Sequence, residues 1–354
     1  MANISILNIS DSLQWNKYIK QLPLEQQDIY FTPEYYQLYE LNKEGEANCF
    51  IFEKNGDIAL YPFLKNEINF LDADSRKRYF DIQGAYGYNG VVSTTDNSLF
   101  IDEFYKNFEE YCDKNNIVAE FTRFHPLIQN QKFSEKHLNI IFDRKTVYID
   151  LTNDYETIFK NFQTTTRKQI KRAINRYGIE VKCFENDLNQ LDTFLKIYYS
   201  TMDRVKSIQY LYFNKDFIKH LIEKTQNVCF VAYNEGKPIG VIIAFYNQYY
   251  IHGHLGGALF EYLPMSPYSL LYSEMIKFGK KRGCRFLHMG GGATTNPEDS
   301  LLKYKMNFSK TTLDFYIGKK IYNKEVYSHI INKWEAEFPE KKELYKNFLL
   351  KYRY

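Results

Sequence analysis

The chain has 354 residues, is 44% hydrophobic and 18% aromatic, and carries a formal charge of +3. That length exceeds one ordinary domain and predicts two, each large enough to bury a core. Near-neutrality excludes wholesale nucleic-acid binding, so any phosphate recognition must come from local patches. The five cysteines, Cys49, Cys112, Cys183, Cys229 and Cys284, are far apart and form no Cys-x-x-Cys. They predict reduced thiols rather than disulfides or a zinc site. The first residues, MANISILNIS, lack the pattern of a signal peptide, and no run approaches the ~18 apolar residues of a membrane span. A cytoplasmic protein is expected, with peripheral membrane contact through a lipid-linked substrate left open.

In chain order, Cys49 to Phe63 and Cys229 to Phe245 each give an apolar strand, a turn ending in glycine (Gly56, Gly236) and a second apolar strand. These are hairpin signals. Each is followed by strand-like sequence, a helix and another strand. In the first half the helix and last strand are Leu99 to Tyr111 and Ile117 to Phe124; in the second they are Ser269 to Lys280 and Cys284 to Met289. The repeated plan predicts two similar α/β domains of mixed sheet. The boundary is placed near a strand from Thr146 to Leu151, giving domains 1–145 and 146–354. Thr311 to Gly318 reads as a strand, and Lys324 to Glu337 and Glu340 to Tyr354 as amphipathic helices separated by Pro339.

Between Glu156 and Glu180 there is no acid, while Lys160, Arg167, Lys168, Lys171, Arg172 and Arg176 are basic. Thr164 to Thr166 offer N-caps, Ile170, Ala173, Ile174 and Tyr177 fall on one helical face, and Gly178 ends the helix. The plain reading is a solvated basic face. The sharper one is a grip on the phosphates of a nucleotide-linked, lipid-linked or tRNA substrate.

In YYIHGHLGGA, strand alternation puts Tyr250, His252 and His254 on one side and Ile251, Gly253 and Leu255 on the other. Either imidazole can accept a proton from an attacking ammonium, or both can be core residues. Ser266-Pro267 reads as a serine N-cap with proline at the first helical position. The strand CRFLHMGGG places Phe286, His288 and Gly290 on one face and ends in Gly290, Gly291 and Gly292, whose amides can approach an acyl oxygen. In LLKYKMNF, Lys303 and Lys305 share a face if the segment is a strand, and either can stabilise a tetrahedral intermediate or simply snorkel. No P-loop, Gly-x-Gly-x-x-Gly, His-Glu-x-x-His or Gly-x-Ser-x-Gly motif is present.

DIQGAYGYNG (Asp81 to Gly90), FTRFHP (Phe121 to Pro126), TTTRKQIKRAINRYG, HGHLGG, HMGGG and DSLLKYKMNFS, in this order, resemble the Fem-type aminoacyltransferases and related acyltransferases of the GNAT superfamily. The resemblance implies an α/β (α+β) fold of two tandem GNAT-like domains with mixed sheets and C-terminal helices, the second carrying the catalytic motifs. It implies an acyltransferase, with attack by an amine on an activated acyl group. The donor would be aminoacyl-tRNA or acyl-CoA as co-substrate, with no tightly bound cofactor and no metal. The acceptor would be a nucleotide- or lipid-linked amino sugar or a peptidoglycan precursor of the cell envelope, with no obligate protein partner. The oxyanion role of a Fem-type lysine falls on Lys305, with Lys303 as the alternative, and the YGYNG loop, Tyr86 and Tyr88, is expected beside the acceptor. The Gln/Arg-x-x-Gly-x-Gly/Ala signature of acetyl-CoA-dependent relatives is absent, as is a coiled-coil arm. The runner-up is an acyl-CoA-dependent N-acetyltransferase acting on an amino sugar of a surface polysaccharide. A reading from another class is an inactive GNAT-like binding module.

Overall fold

The computed structural model describes residues 2–69 and 77–354. The chain divides into two compact units, residues 1–143 with 315–354, and residues 144–314. In chain order the elements begin with β1 (Asn3–Asn8), α1 (Ser12–Ile19), α2 (Pro33–Leu41), β2 (Glu46–Lys54), β3 (Asp57–Glu67), β4 (Phe80–Gln83) and β5 (Val92–Ser93). They continue with α3 (Ser98–Lys114), β6 (Ile117–Arg123), β7 (Asn139–Asp150), α4 (Tyr155–Asn161), α5 (Thr164–Asn175), β8 (Glu180–Glu185), α6 (Leu191–Arg204) and α7 (Lys215–Lys224). The last are β9 (Asn227–Asn234), β10 (Lys237–Tyr246), β11 (Tyr250–Ala258), α8 (Pro267–Lys281), β12 (Phe286–Gly291), α9 (Ser300–Lys305), β13 (Thr312–Ile321) and α10 (Lys324–Glu337).

The expected duplication is present in the six main strands of each unit, and the short β5, paired with β3, is an addition in the first. Both hairpins close with two-residue turns of positive φ, Asn55 at 55° with Gly56 at 88°, and Glu235 at 49° with Gly236 at 78°. This is the turn whose twist matches that of the flanking strands. In the first unit the strand order is β1-β2-β3-β4-β6-β13, with β4 parallel to β6 and α3 as the crossover. In the second it is β8-β9-β10-β11-β12-β7, with β11 parallel to β12 and α8 as the crossover.

The C-terminal segment departs from the sequence reading. Placed with the second half by chain order, residues 315–354 belong to the first unit. Ile317 to Ile321 of β13 pair with β6, and Ile330 and Trp334 of α10 join Val118 and Ala119 of β6 in one core. The expected helix from Glu340 to Tyr354 is instead short 3-10 turns at Pro339–Lys341 and Lys351–Arg353. The segment folds back: Tyr345 and Tyr354 stack at 5.2 Å, and Leu350 and Tyr352 bury against the Trp334 cluster. Ring packing across the turn outweighs the amphipathic periodicity.

Glu120 is one of the carboxylates that the first unit buries, with Asp28 and Asp81. Glu120 on β6 is 1% exposed and accepts from the hydroxyls of Tyr61 (2.8 Å), Thr122 (3.1 Å) and Tyr322 (2.5 Å). Burial raises its pKa, and these hydroxyls oppose the rise. With its lone pairs occupied, the group is a satisfied core element.

Candidate active site

In the second unit, β11 and β12 pair over only three positions, Tyr250 with Phe286, Ile251 with Leu287 and His252 with His288. Beyond His252, β11 runs on to Ala258 and β12 to Gly291 without pairing with each other. The parallel strands therefore part, and the fork opens at the His252–His288 pair, whose rings meet edge to face at 5.6 Å.

Two bulges set which side chains reach each face. On β11 the register against β10 skips His254, with Ile243 opposite Leu255 and Ala244 opposite Gly253. A Cβ built on Gly253 would lie 3.3 Å from Met275 Cε, and one on Gly256 only 2.6 Å from Tyr268 Oη, so both glycines face α8. His254 and Leu255 fit between them on the other side, correcting the simple alternation that opposed these two residues. On β12 the register against β7 skips Met289, so Gly290 stands opposite Val147, not on the face of His288. Val147, Leu287 and Met289 share the core beneath α8. Gly290 thus shares the α8 face, while alternation leaves Phe286, His288 and His252 on the opposite one.

Lys305 arrives on that same α8 face. Its helix, α9, is capped by Asp299, whose Oδ1 accepts from the N–H groups of Leu301 and Leu302 at 2.9 and 3.0 Å. The other oxygen accepts from the N–H and hydroxyl of Thr294 at 3.0 and 2.9 Å. Burial works against this carboxylate, but those donors hold it at about 2. Leu302 enters the α8 core, and Tyr304 bonds Ser269 in the first turn of α8 at 3.0 Å. The buried Lys305 Nζ then donates to the Gly291 carbonyl at 2.7 Å and lies 3.3 Å from where a Gly290 Cβ would be. Gly290 has φ +74°, a conformation that glycine adopts without strain. Burial pushes the Lys305 ammonium down to about 8; Asp299 favours the charge and Arg144 opposes it.

Because the segment is a helix and not a strand, Lys303 and Lys305 do not share a face. Lys303 is exposed and pairs with Glu298. In an extended strand the N–H and C=O of one residue point to the same edge. The Gly291 carbonyl meets Lys305, so its N–H is directed to the same edge, toward the fork. The Gly292 carbonyl is taken by Arg144 at 3.0 Å.

The structure therefore gathers Lys305, Gly290 and Gly291 at one side of the fork and His252 with His288 at its vertex on the other face. His254 packs its ring on Phe245 at 4.4 Å, with its Nε2 buried. Burial, with help from His252, lowers its pKa to about 3. At neutral pH it is an uncharged imidazole, a weak acceptor for an ammonium proton.

α5 begins at Thr164 itself, with Gln163 preceding it and no side-chain cap; the Thr164 hydroxyl accepts instead from Arg167 at 3.0 Å. Its end is as expected: Gly178 has φ +60° and Ile179 N–H returns to the Ala173 carbonyl at 3.0 Å. Arg167 and Lys171 line a groove of about 410 Å³ with Lys160, Lys277 and the single acid Glu156. Lys168, Arg172 and Arg176 form the next row, and Arg172 reaches the Pro264 carbonyl at 3.5 Å. Ser266 has φ +59° and offers no cap to α8, although Pro267 is its first residue as expected. Tyr86 and Tyr88 lie in the first unit, half-buried, with the Tyr88 ring 5.1 Å from both Tyr30 and His125.

The fork between parallel strands joined by a crossover helix, with a buried lysine at its mouth, lies within residues 160–306, which match the acetyltransferase (GNAT) domain family. The chain is 26% identical over 228 residues to UDP-N-acetylmuramoylpentapeptide-lysine N(6)-alanyltransferase of Weissella viridescens, covering 60% of this chain and 66% of that relative's length. In fold it is similar to FemX, with a TM-score of 0.67 and 11% identity over 92% of this chain and 99% of that one. It is also similar in fold to a conserved protein of unknown function from Bacteroides thetaiotaomicron, with a TM-score of 0.58 and 11% identity over 90% and 99% of the two chains. Among the described residues no helix is long and apolar enough to cross a membrane.

Proposed function

We propose that the chain transfers an aminoacyl group from aminoacyl-tRNA, as co-substrate, to an amine of a peptidoglycan precursor. The observation that carries this is the Lys305 ammonium beside the open amide edge of Gly291, two donors converging where an acyl oxygen can sit. The attacking amine forms a C–N bond to the acyl carbon, and the carbonyl electrons move onto oxygen, where Lys305 and the Gly291 N–H hold them. The ester C–O bond then breaks and the proton lost by nitrogen ends on the leaving hydroxyl. His252 and His254 orient the nucleophile in this reading, and the acceptor's own phosphate receives the proton in transit. Tyr86 and Tyr88 flank the acceptor, and Arg167, Lys168, Lys171 and Arg172 hold phosphate.

Mass spectrometry of products from alanyl-tRNA and UDP-N-acetylmuramoyl-pentapeptide tests the reaction. A precursor heavier by one alanine is expected. Turnover only with acetyl-CoA and an amino sugar would assign the N-acetyltransferase chemistry, and binding without turnover from either donor would assign a binding module. Converting Arg167 and Arg172 together to glutamate is expected to raise KM about tenfold with kcat unchanged, since Arg172 is exposed and Arg167 only half-buried along the groove. An unchanged KM removes the phosphate role.

A further inference from the structure

Three neighbouring segments of the second unit carry large apolar side chains to the surface beside basic ones. The end of α6 runs into Val205, Ile208 and Tyr210, exposed by 55%, 67% and 40%. One helical turn earlier, the Thr201 hydroxyl lies 3.0 Å from the Ala258 nitrogen and 3.2 Å from its oxygen, tying this end of α6 to the end of β11. Two residues past Ala258 stands Phe260, exposed by 68%, at the start of the 3-10 segment Phe260–Met265. Pro264 of that segment is reached in turn by Arg172 of α5. The end of α6, the Phe260 turn and the second basic row of α5 are thus joined link by link around the end of β11.

The charge on these segments is mainly positive. Lys168, Arg172 and Arg176 line α5, and Arg204 and Lys206 flank Val205, against the carboxylates of Asp203 and Glu261. Asp203 accepts from the Tyr212 hydroxyl at 3.0 Å. Exposed aliphatic side chains gain nothing from water or from a phosphate backbone, whereas an anionic bilayer supplies an apolar boundary and a phosphate layer together. We propose that this surface docks on an anionic phospholipid bilayer, with Val205, Ile208 and Phe260 entering the headgroup boundary and Arg176, Arg204 and Lys206, none of them assigned to the substrate, resting on lipid phosphates. The contact is interfacial and independent of the acyl transfer proposed above, because it is read without substrate.

Co-sedimentation of the whole chain with phosphatidylcholine vesicles containing about one third phosphatidylglycerol tests it, with pure phosphatidylcholine as the reference. Binding to the anionic vesicles and little to the neutral ones is expected. The double variant Arg176→Gln/Arg204→Gln should weaken binding about thirtyfold, and Ile208→Ser/Phe260→Ser at least about tenfold, with Tm unchanged because all four side chains are exposed. Failure of the parent to sediment with anionic vesicles overturns the proposal. So does loss of binding in the arginine variant alone, or binding to a short RNA duplex in place of vesicles, each of which assigns the surface to a polyanion.

Discussion

Replacing Lys305 with methionine is expected to lower kcat for acyl transfer by about 10²–10³, the usual cost of removing one donor to a developing oxyanion. Methionine keeps the buried stem and deletes only the ammonium that meets Gly291. The pH dependence gives a second signature, because burial brings the ammonium from an ordinary 10.5 down to about 8. If the charged form holds the oxyanion, activity of the parent falls as pH rises through about 8, and the methionine variant's residual rate lacks that step. Stability runs the other way. Below pH 8 the lysine is protonated folded and unfolded, and the full cost of burying the charge applies. Between about 8 and 10.5 only the unfolded chain holds the proton, so stability rises with pH. A depression of this size corresponds to about 3 kcal/mol, so the variant should melt no lower than the parent at neutral pH. Steady-state rates and melts across pH 6 to 10 are the measurements; an undiminished kcat would remove Lys305 from the chemistry.

Trp334→Ala should be the most damaging substitution far from the fork. The indole is fully buried with Ile330, Leu350 and Tyr352 over Val118 and Ala119, and such a truncation costs about 3–5 kcal/mol. That is a large share of the ~5–15 kcal/mol typical of a domain. The location of the damage is as informative as its size. Hydrogen exchange should quicken in 1–143 and 315–354 and stay slow in the β9–β12 strands of 144–314. Quickening confined to 144–314 would return the C-terminal segment to the second half.

Features that rest on neighbouring residues were legible in the sequence. Both hairpins were, because Asn55-Gly56 and Glu235-Gly236 encode their turns locally, and so was the end of α5 at Gly178. The bulges at His254 and Met289 were not, since a skipped register exists only relative to β10 and β7. The skip at Met289 separates Gly290 from His288, which strict alternation puts on one face, and the skip at His254 brings His254 and Leu255 to one side, which strict alternation opposes. Lys305 is singled out through family resemblance, while periodicity leaves the setting of Lys-Tyr-Lys open; Asp299-Ser300 is a helix-start signal that places α9. The return of residues 315–354 to the first unit was hidden for a different reason. Which strand β13 joins is decided by edge and burial hundreds of residues away, not by its own pattern.

That return has a consequence during synthesis. Residues 144–314 form an uninterrupted stretch, so this unit has all of its sequence before residues 315–354 leave the ribosome. The amino-terminal unit, first to emerge, must wait with the β13 side of β6 uncovered until its closing strand and the Trp334 helix arrive. Completion therefore inverts the order of translation, and the nascent first half is the part that depends on protection from wrong strand partners in the interval.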